Sequence, residues 1–345
     1  MAARQGAPDA GQGVSGPRLE KRADSREAEI AAVAADTLAG TANGSLLVCG
    51  DADGAVESAL GGTAWHRHAY GGRAAQPWPL EGSFDGAVLR QPRGWAAFAM
   101  TLHALAARLP AGAPLWVYGG NDEGIASVPK RLDGLFAEPE TLSIKRRARV
   151  LALRRTDAPA RGALEDWRET VSVGDAELVS YPGLFAHGRL DAGTALLLEH
   201  LPTIYADQAV LDFGCGAGAI AHAVRRRTPG VPLTLLDVDS VALHAARQNV
   251  PDAAGYVLSD GWTAVPGGRR FDVIVSNPPL HRGKEEDFGA LDALVRGAKD
   301  RLRPRGSLIA VVQRTAGVGK LFTATLRHAE MLAETPQYQV WKGGP

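Results

Sequence analysis

Cysteine is nearly absent from this 345-residue sequence, which contains only Cys49 and Cys215. Two thiols build neither a disulfide framework nor a multi-cysteine metal site, so no metal is expected and the protein reads as reduced and cytoplasmic. No uninterrupted apolar run reaches the roughly 18 to 20 residues that cross a bilayer, so no membrane partner is expected. An excess of charge of one sign is missing too, with 38 basic against 38 acidic residues. That balance excludes a surface wholly devoted to nucleic acid but leaves room for local basic patches. The densest is Lys145, Arg146, Arg147, Arg149, Arg154 and Arg155, with no acid between Thr141 and Thr156; a solvated strand edge is the plainer alternative. Residues 1–27 lack the apolar segment of a signal peptide and carry acids that a transit peptide avoids, so they read as a flexible tail.

What is present, 45% hydrophobic and 22% charged residues, is the composition of a globular protein large enough for two domains. In the second half, five β-branched apolar runs stand out: QAVLDFG (208–214), VPLTLLDV (231–238), AGYVL (254–258), FDVIVS (271–276) and GSLIAVVQ (306–313). Between them, Val241, Leu243, Ala245 and Ala246, then Phe288, Leu291, Leu294, Val295 and Leu302, recur at helical spacing. Strand and helix in alternation predict a parallel, doubly wound α/β sheet with right-handed crossovers.

The first half repeats the scheme in weakened form. SLLVCGDADGA (45–55) matches AVLDFGCGAGA (209–219), FDGAVLRQPRG (84–94) matches FDVIVSNPPLHRG (271–283), and LPAGAPLWVYGG (109–120) matches LRPRGSLIAVVQ (302–313). Three matches in one order predict a duplicated domain, so the fold class is α/β with two tandem Rossmann-like sheets, the N-terminal one degenerate. In that copy GCGAG has become GDADG and NPP has become RQPR, so the fold signals survive and the site signals do not. The predicted organisation is a tail (1–27), a degenerate domain without a cofactor site (28–155), a linker (156–168) and a catalytic domain (169–345). ETVSVGDAELVSYPG (169–183) reads as a hairpin and LDAGTALLLEHLP (190–202) as a helix.

Glycines at 214, 216 and 218 directly follow the first strand of the second half. They allow a sharp turn and close approach of another molecule, while the next helix offers N–H groups. The loop has no lysine, which excludes a P-loop, and its GxGxG spacing with Asp212 two residues ahead differs from the dinucleotide pattern. Asp237 ends the second strand, where an acid accepts from ribose hydroxyls, and Asp260 follows the third. Each acid alone reads more simply as a helix cap or loop carboxylate; three in sequence at consecutive strand ends favour a ligand site.

This combination resembles the class I S-adenosylmethionine-dependent methyltransferases over residues 190–345. The resemblance implies S-adenosylmethionine as cofactor, with Asp212, Gly214, Cys215, Gly216 and Gly218 at the methionine-facing loop, Asp237 and Val238 at ribose and adenine, and Asp260 at the adenine edge. A nicotinamide dehydrogenase is the alternative for the loop alone. The stretch VSNPPLH (275–281) discriminates, because Asn277 Oδ1 and the Pro278 carbonyl, stiffened by Pro279, form two fixed acceptors for an NH2 group. Such a clamp aligns a planar nitrogen with the methyl donor, in adenine, guanine or a glutamine amide. A proline-terminated edge strand is the structural alternative.

YPGLFAHGRLDAGTALLL (181–198), VLDFGCGAG, LLDVD and SNPPLHRG, together with the degenerate N-terminal copy, look like the bacterial ribosomal RNA guanine-N2 methyltransferases. The resemblance implies methyl transfer to a guanine exocyclic amine in ribosomal RNA, with Asn277, Pro278 and Pro279 catalytic. Leu280, His281, Arg282 and Arg189 are implied near the substrate, and the partner is ribosomal RNA or a ribosomal assembly intermediate, met as a monomer. Leu280 departs from the aromatic residue the family carries there. A protein-glutamine methyltransferase and a catalytically silent RNA-binding assembly factor are the rival functions.

Overall fold

The computed structural model describes residues 20–41, 43–174, 176–184, 191–278, 281–282, 285–286 and 288–345. The first half runs α1 (Glu20–Leu38), β1 (Leu46–Cys49), α2 (Ala55–Leu60), β2 (Thr63–Trp65), β3 (Gly86–Arg90), α3 (Trp95–Ala106), β4 (Pro114–Gly120), β5 (Phe136–Lys145) and β6 (Ala148–Arg155). A hairpin of β7 (Glu169–Val173) and β8 (Ala176–Ser180) leads to α4 (Ala192–Glu199), β9 (Val210–Phe213), α5 (Ala219–Arg227), β10 (Leu233–Asp237), α6 (Ser240–Asn249) and β11 (Gly255–Leu258). The chain then forms β12 (Phe271–Ser276), β13 (His281–Arg282), β14 (Glu285–Glu286), α7 (Phe288–Lys299), β15 (Leu302–Gln313), α8 (Gly319–Thr325), β16 (Arg327–Glu334) and β17 (Tyr338–Gly344).

Two sheets result. The C-terminal one has the order β11-β10-β9-β12-β15-β17-β16, parallel through β15 and antiparallel at the last two strands. The N-terminal one has the order β2-β1-β3-β4-β6-β5, again parallel except at the last two strands. It is the same sheet without the strand equivalent to β11. Helices cover the C-terminal sheet from both sides and bury a core on each face, which is why its strands read as continuous apolar runs.

The register repeats as closely as the order. Leu46 opposes Gly86 as Val210 opposes Val273, which places Arg90 at the position of Asn277 and Asp85 at that of Asp272. The contacts repeat with it: Ser45 N donates to Asp85 Oδ2 at 2.7 Å, and Ala209 N to Asp272 Oδ2 at 2.7 Å. Gly50 N donates to Trp65 O at 3.1 Å and its counterpart Gly214 N to Leu236 O at 2.8 Å. Identical backbone anchoring at equivalent positions bears out the duplication.

The halves meet through equivalent residues. Trp65 and Leu236 correspond, so Arg67 corresponds to Val238, His68 to Asp239 and Ala69 to Ser240. Ala69 N donates to Val238 O at 2.9 Å and Ser240 N to Arg67 O at 3.0 Å, around an antiparallel bridge of His68 with Asp239. That reciprocity is the signature of an isologous, pseudo-twofold contact. A smaller core including Met100, Tyr181, Val241 and Ala245 fills the space beside it.

Several expectations need revising. The helix α1 begins at Glu20, so it overlaps residues 20–27 of the expected tail. Leu302 opens β15 rather than ending α7; it packs in the same core as Leu291, Leu294 and Val295, which is why its spacing looked helical. The expected linker is packed rather than loose, with Leu164 buried and Gly162 O accepting from Trp78 Nε1 at 2.8 Å. No helix among the described residues is long and apolar enough to cross a membrane.

Candidate functional site

The strand order reverses between β9 and β12, and ligands of open α/β sheets bind beyond the strand ends at such a switch. Asp260 follows β11, Asp237 ends β10, the glycine loop follows β9 and Asn277 follows β12. These neighbouring ends span three interstrand spacings, about 14 Å. The predicted residues of all four ends are thus brought to one edge.

The glycine loop is satisfied from within. Gly214 N and Cys215 N both donate to Leu236 O at 2.8 and 2.9 Å, Gly218 N donates to Cys215 O at 2.8 Å, and Gly216 N to Asp237 Oδ2 at 2.8 Å. These amides are therefore engaged within the protein, and the loop contributes shape. Gly214 and Gly216 have φ of 70° and 54°, and a Cβ on either meets nothing within 4 Å, so the loop surface is open for close approach. Gly218 differs, because a Cβ there would press on Leu235 and Ala246 at 3.3 and 3.4 Å. The Cys215 side chain points into the core, where burial pushes its thiol well above the usual range.

Asp212 is fully buried on β9; its Oδ2 accepts from Ala221 N at 3.0 Å, and Oδ1 has no partner. Burial, with the charge of Asp237 adding to it, pushes the carboxyl up to about 7. Asp237 is half-buried; Oδ2 accepts from Gly216 N and Oδ1 from Asp239 N at 2.9 Å. Each oxygen retains a second lone pair for a hydroxyl. Burial and then the charge of Asp239 push Asp237 up to about 6. Asp260 Oδ2 accepts from Gly71 N of the other half at 3.0 Å, and the Val238 carbonyl accepts from Ala69 N. An open glycine cradle, an orphaned buried carboxylate oxygen and two acids with spare acceptor capacity fit the methionine and adenosine parts of S-adenosylmethionine.

Asn277 has an orientation set by its neighbours. Its Nδ2 donates to Asp191 Oδ2 at 2.9 Å and to Thr194 Oγ1 at 2.8 Å. A carboxylate only accepts, so the NH2 group must face α4 and Oδ1 is presented as the acceptor. Asp191 is also the N-cap of α4, accepting from Thr194 N at 3.0 Å. Ser276 is fully buried, its Oγ donating to Phe213 O at 2.7 Å, and ties the end of β12 to β9. Pro278 is buried. Pro279, Leu280 and Arg189 lie outside the described residues; His281 and Arg282 form β13, opposite Glu286 and Glu285 of β14.

Asp191 and Thr194 were not singled out in the sequence, although both lie in LDAGT. Arg67 and Asp239 were missed as well. Asp239 caps α6 through Val241 N at 2.9 Å, and Arg67 grips it with Nε at 2.9 and 3.0 Å and Nη2 at 2.6 Å. Burial alone would raise Asp239, but the Arg67 charge, then His68, hold it below the usual carboxylate range.

In the degenerate copy the equivalent positions are occupied by the protein's own charges. Arg90, at the place of Asn277, is buried and bonded to Glu27 of α1 at 2.5 and 2.8 Å and to Glu123 at 3.0 Å. Of the basic cluster, Lys145, Arg146 and Arg147 are exposed at the β5–β6 turn, but Arg155 is buried and donates to the carbonyls of Ala106, Leu135, Thr156 and Ala158. Its guanidinium holds backbone together and is not available to a polyanion.

The family Methyltransferase small domain matches residues 175–342, and Methyltransferase small domain N-terminal matches residues 62–171. Ribosomal RNA small subunit methyltransferase C of Pseudomonas entomophila (strain L48) is 37% identical over 269 residues, covering 76% of this chain and 80% of that protein. The protein of the same name from Stutzerimonas stutzeri (strain A1501) is 34% identical over 317 residues, 87% of this chain and 94% of its own. Among solved structures, the T. thermophilus 16S rRNA N2 G1207 methyltransferase (RsmC) in complex with AdoMet and guanosine superposes with a TM-score of 0.76 at 24% identity. It covers 90% of this chain and 91% of its own, and shows that both halves share one fold arrangement.

Proposed function

This chain belongs to the ribosomal RNA small subunit methyltransferase C family, and from that membership we propose that it methylates the N2 amine of a guanine in small-subunit ribosomal RNA. The observation that carries the reading is the orientation of Asn277 by Asp191 and Thr194. S-adenosylmethionine, when bound, supplies the electrophilic methyl group.

Asp237 would accept from the ribose hydroxyls and Asp260 from the adenine amine, while the open surface at Gly214 and Gly216 would face the methionine part. Asn277 Oδ1 and the Pro278 carbonyl each accept one hydrogen of the guanine N2 group. That pair of bonds turns the nitrogen lone pair toward the methyl, and the gain is chiefly one of alignment. The two carbonyl dipoles also stabilise the positive charge that grows on nitrogen. As the N–C bond forms, the methyl–sulfur bond breaks and its electron pair stays on sulfur; the cationic nitrogen is then acidic and gives its proton to water without a dedicated base. The target guanine must leave its stack to reach the clamp, which costs least in a loop or an incompletely assembled particle. The exposed Lys145, Arg146 and Arg147 turn suits phosphate contacts, and the ion-paired interior around Arg90 suits a half that binds no cofactor.

Incubating the protein with S-adenosylmethionine labelled in the methyl group and small-subunit RNA or particles, followed by nucleoside mass mapping, tests this. N2-methylguanosine is expected; label in adenosine or in protein glutamine would overturn the assignment.

A further inference from the structure

The half without the site signals reaches into the site of the other. β2 is the counterpart of β10, yet it is an edge strand with no neighbour equivalent to β11, and beyond it the chain crosses to the C-terminal half. Segment 67–71 then touches the turn after Asp237 at every residue from 238 to 240. Ala69 N binds Val238 O, the Arg67 guanidinium grips the Asp239 carboxylate, and Ser240 gives both N and Oγ, at 3.0 and 2.6 Å, to Arg67 O. Two residues further on, Gly71 N holds Asp260 Oδ2.

These contacts do more than join two bodies. Asp239 N is one of the two donors that orient the Asp237 carboxylate, and Asp239 is the N-cap of α6. Arg67 and Asp239 expose only 11% of each side chain, so the fork is largely shielded from water and holds its geometry. Arg67 Nη1 also donates to Pro182 O at 3.2 Å, linking the same fork to the segment that leads toward α4. By fixing one oxygen of Asp260, Gly71 leaves the other directed by the loop rather than free to rotate.

We propose that the cofactor site is composite: segment 67–71 of the N-terminal half is a positioning wall that sets the two adenosine-facing acids, so that cofactor affinity depends on the docking of the two halves. This rests on the reading of Asp237 and Asp260 as adenosine acceptors. Arg67 touches neither cofactor nor substrate; it acts through Asp239.

Calorimetry of S-adenosylmethionine binding to the full chain, with methyl transfer measured at saturating cofactor, tests the proposal on Arg67→Ala, Arg67→Lys and His244→Ala. His244, one turn along α6 from Ser240, pairs with Glu165 at 2.9 Å, and its removal loosens the packing of that helix without taking a contact from the turn. Expected is a dissociation constant raised about tenfold or more in Arg67→Ala, a typical coupling between linked sites. An intermediate rise is expected in Arg67→Lys, which keeps the charge but not the fork, and none in His244→Ala. The rate at saturation should stay within about threefold of wild type in all three. Affinity within about twofold of wild type in both Arg67 variants overturns the composite site, as does equal weakening in His244→Ala for an equal fall in Tm. Wild-type protein that binds no S-adenosylmethionine defeats the functional reading itself, and the composite site with it.

Discussion

Asn277 and Asp191, 86 residues apart in sequence, share a hydrogen bond of 2.9 Å whose direction is fixed by chemistry, because only the amide can donate. In the proposed mechanism Asp191 thereby decides which atom of Asn277 is offered to the reacting nitrogen. Replacing Asp191 by alanine frees the amide to flip and should lower the methyl-transfer rate by about a hundredfold, as lost alignment does. Cofactor affinity should stay within about threefold, since Asp191 lies at the β12 side of the edge. Asp191→Asn keeps an acceptor and should recover part of the loss. Single-turnover rates alongside calorimetry check this; an unchanged rate in Asp191→Ala removes the orienting role.

With Asp237 as the proposed ribose acceptor, its raised carboxyl should make cofactor binding sensitive to pH in an unusual range. Ribose hydroxyls donate to the ionised form, and burial with the neighbouring Asp239 charge pushes that ionisation up to about 6. Affinity should therefore be flat above about pH 7 and fall as the pH drops through 6, approaching tenfold per unit. Asp237→Asn should bind weakly at every pH and lack the break. A wild-type profile that breaks near 4, or not at all, would falsify the account of Asp237 as the ribose acceptor.

Much of this was legible in the sequence, and what was not has physical reasons. Strands β9, β10, β12 and β15 are interior and apolar, so composition alone marks them, and the apolar run of β11 marks it although it lies at the sheet edge. The antiparallel edge strands β5 and β16 carry FAEPETLSIK and RHAEMLAE, whose exposed polar residues break the alternation that would reveal them. Main-chain anchors such as Asp85 and Asp272 survive in both copies because the sheet requires them, and this made the duplication readable. Asp191 and Arg67 were invisible as site residues because each acts through a partner distant in sequence, 172 residues away for Arg67 and Asp239. A cap residue and an arginine in a loop have no signal of their own until the fold supplies the partner.

The two arginine populations of the basic segment should separate experimentally. Arg146 and Arg147 turn with φ of 46° and 59°, the region that Asn-Gly adopts without strain; their carbonyls accept from Arg26, and that of Arg147 also from Asn121 N at 2.8 Å. The pair Arg146→Asn and Arg147→Gly should keep Tm, weaken ribosomal RNA binding and reduce its logarithmic salt slope by about one to two. Arg155→Ala removes the guanidinium's bonds to four carbonyls, of which Leu135 O keeps Thr156 N, and should destabilise the protein by roughly 3 kcal/mol. Thermal melts and salt titrations of RNA binding distinguish them; an unchanged salt slope in the turn variant rules the turn out as a phosphate contact.

Asp212 gives a prediction about stability alone. Its carboxyl is fully buried with one orphaned oxygen, and its ionisation moves from 3.8 up to about 7 on folding, chiefly by desolvation. A raised carboxyl favours the folded state fully below the unfolded value and loses that contribution as pH rises through the folded one. Holding Asp212 ionised at neutral pH thus costs the cofactor-free protein stability, at most about 1.4 kcal/mol for each pH unit between 4 and 7. Asp212→Asn removes the titration and keeps an acceptor for Ala221 N. The difference in Tm between the two proteins therefore reports Asp212 together with its coupling to Asp237. Variant minus wild type should rise from pH 4 to pH 7 and then level off, as measured by melts in matched buffers. A difference that is constant across that window would mean Asp212 does not titrate there.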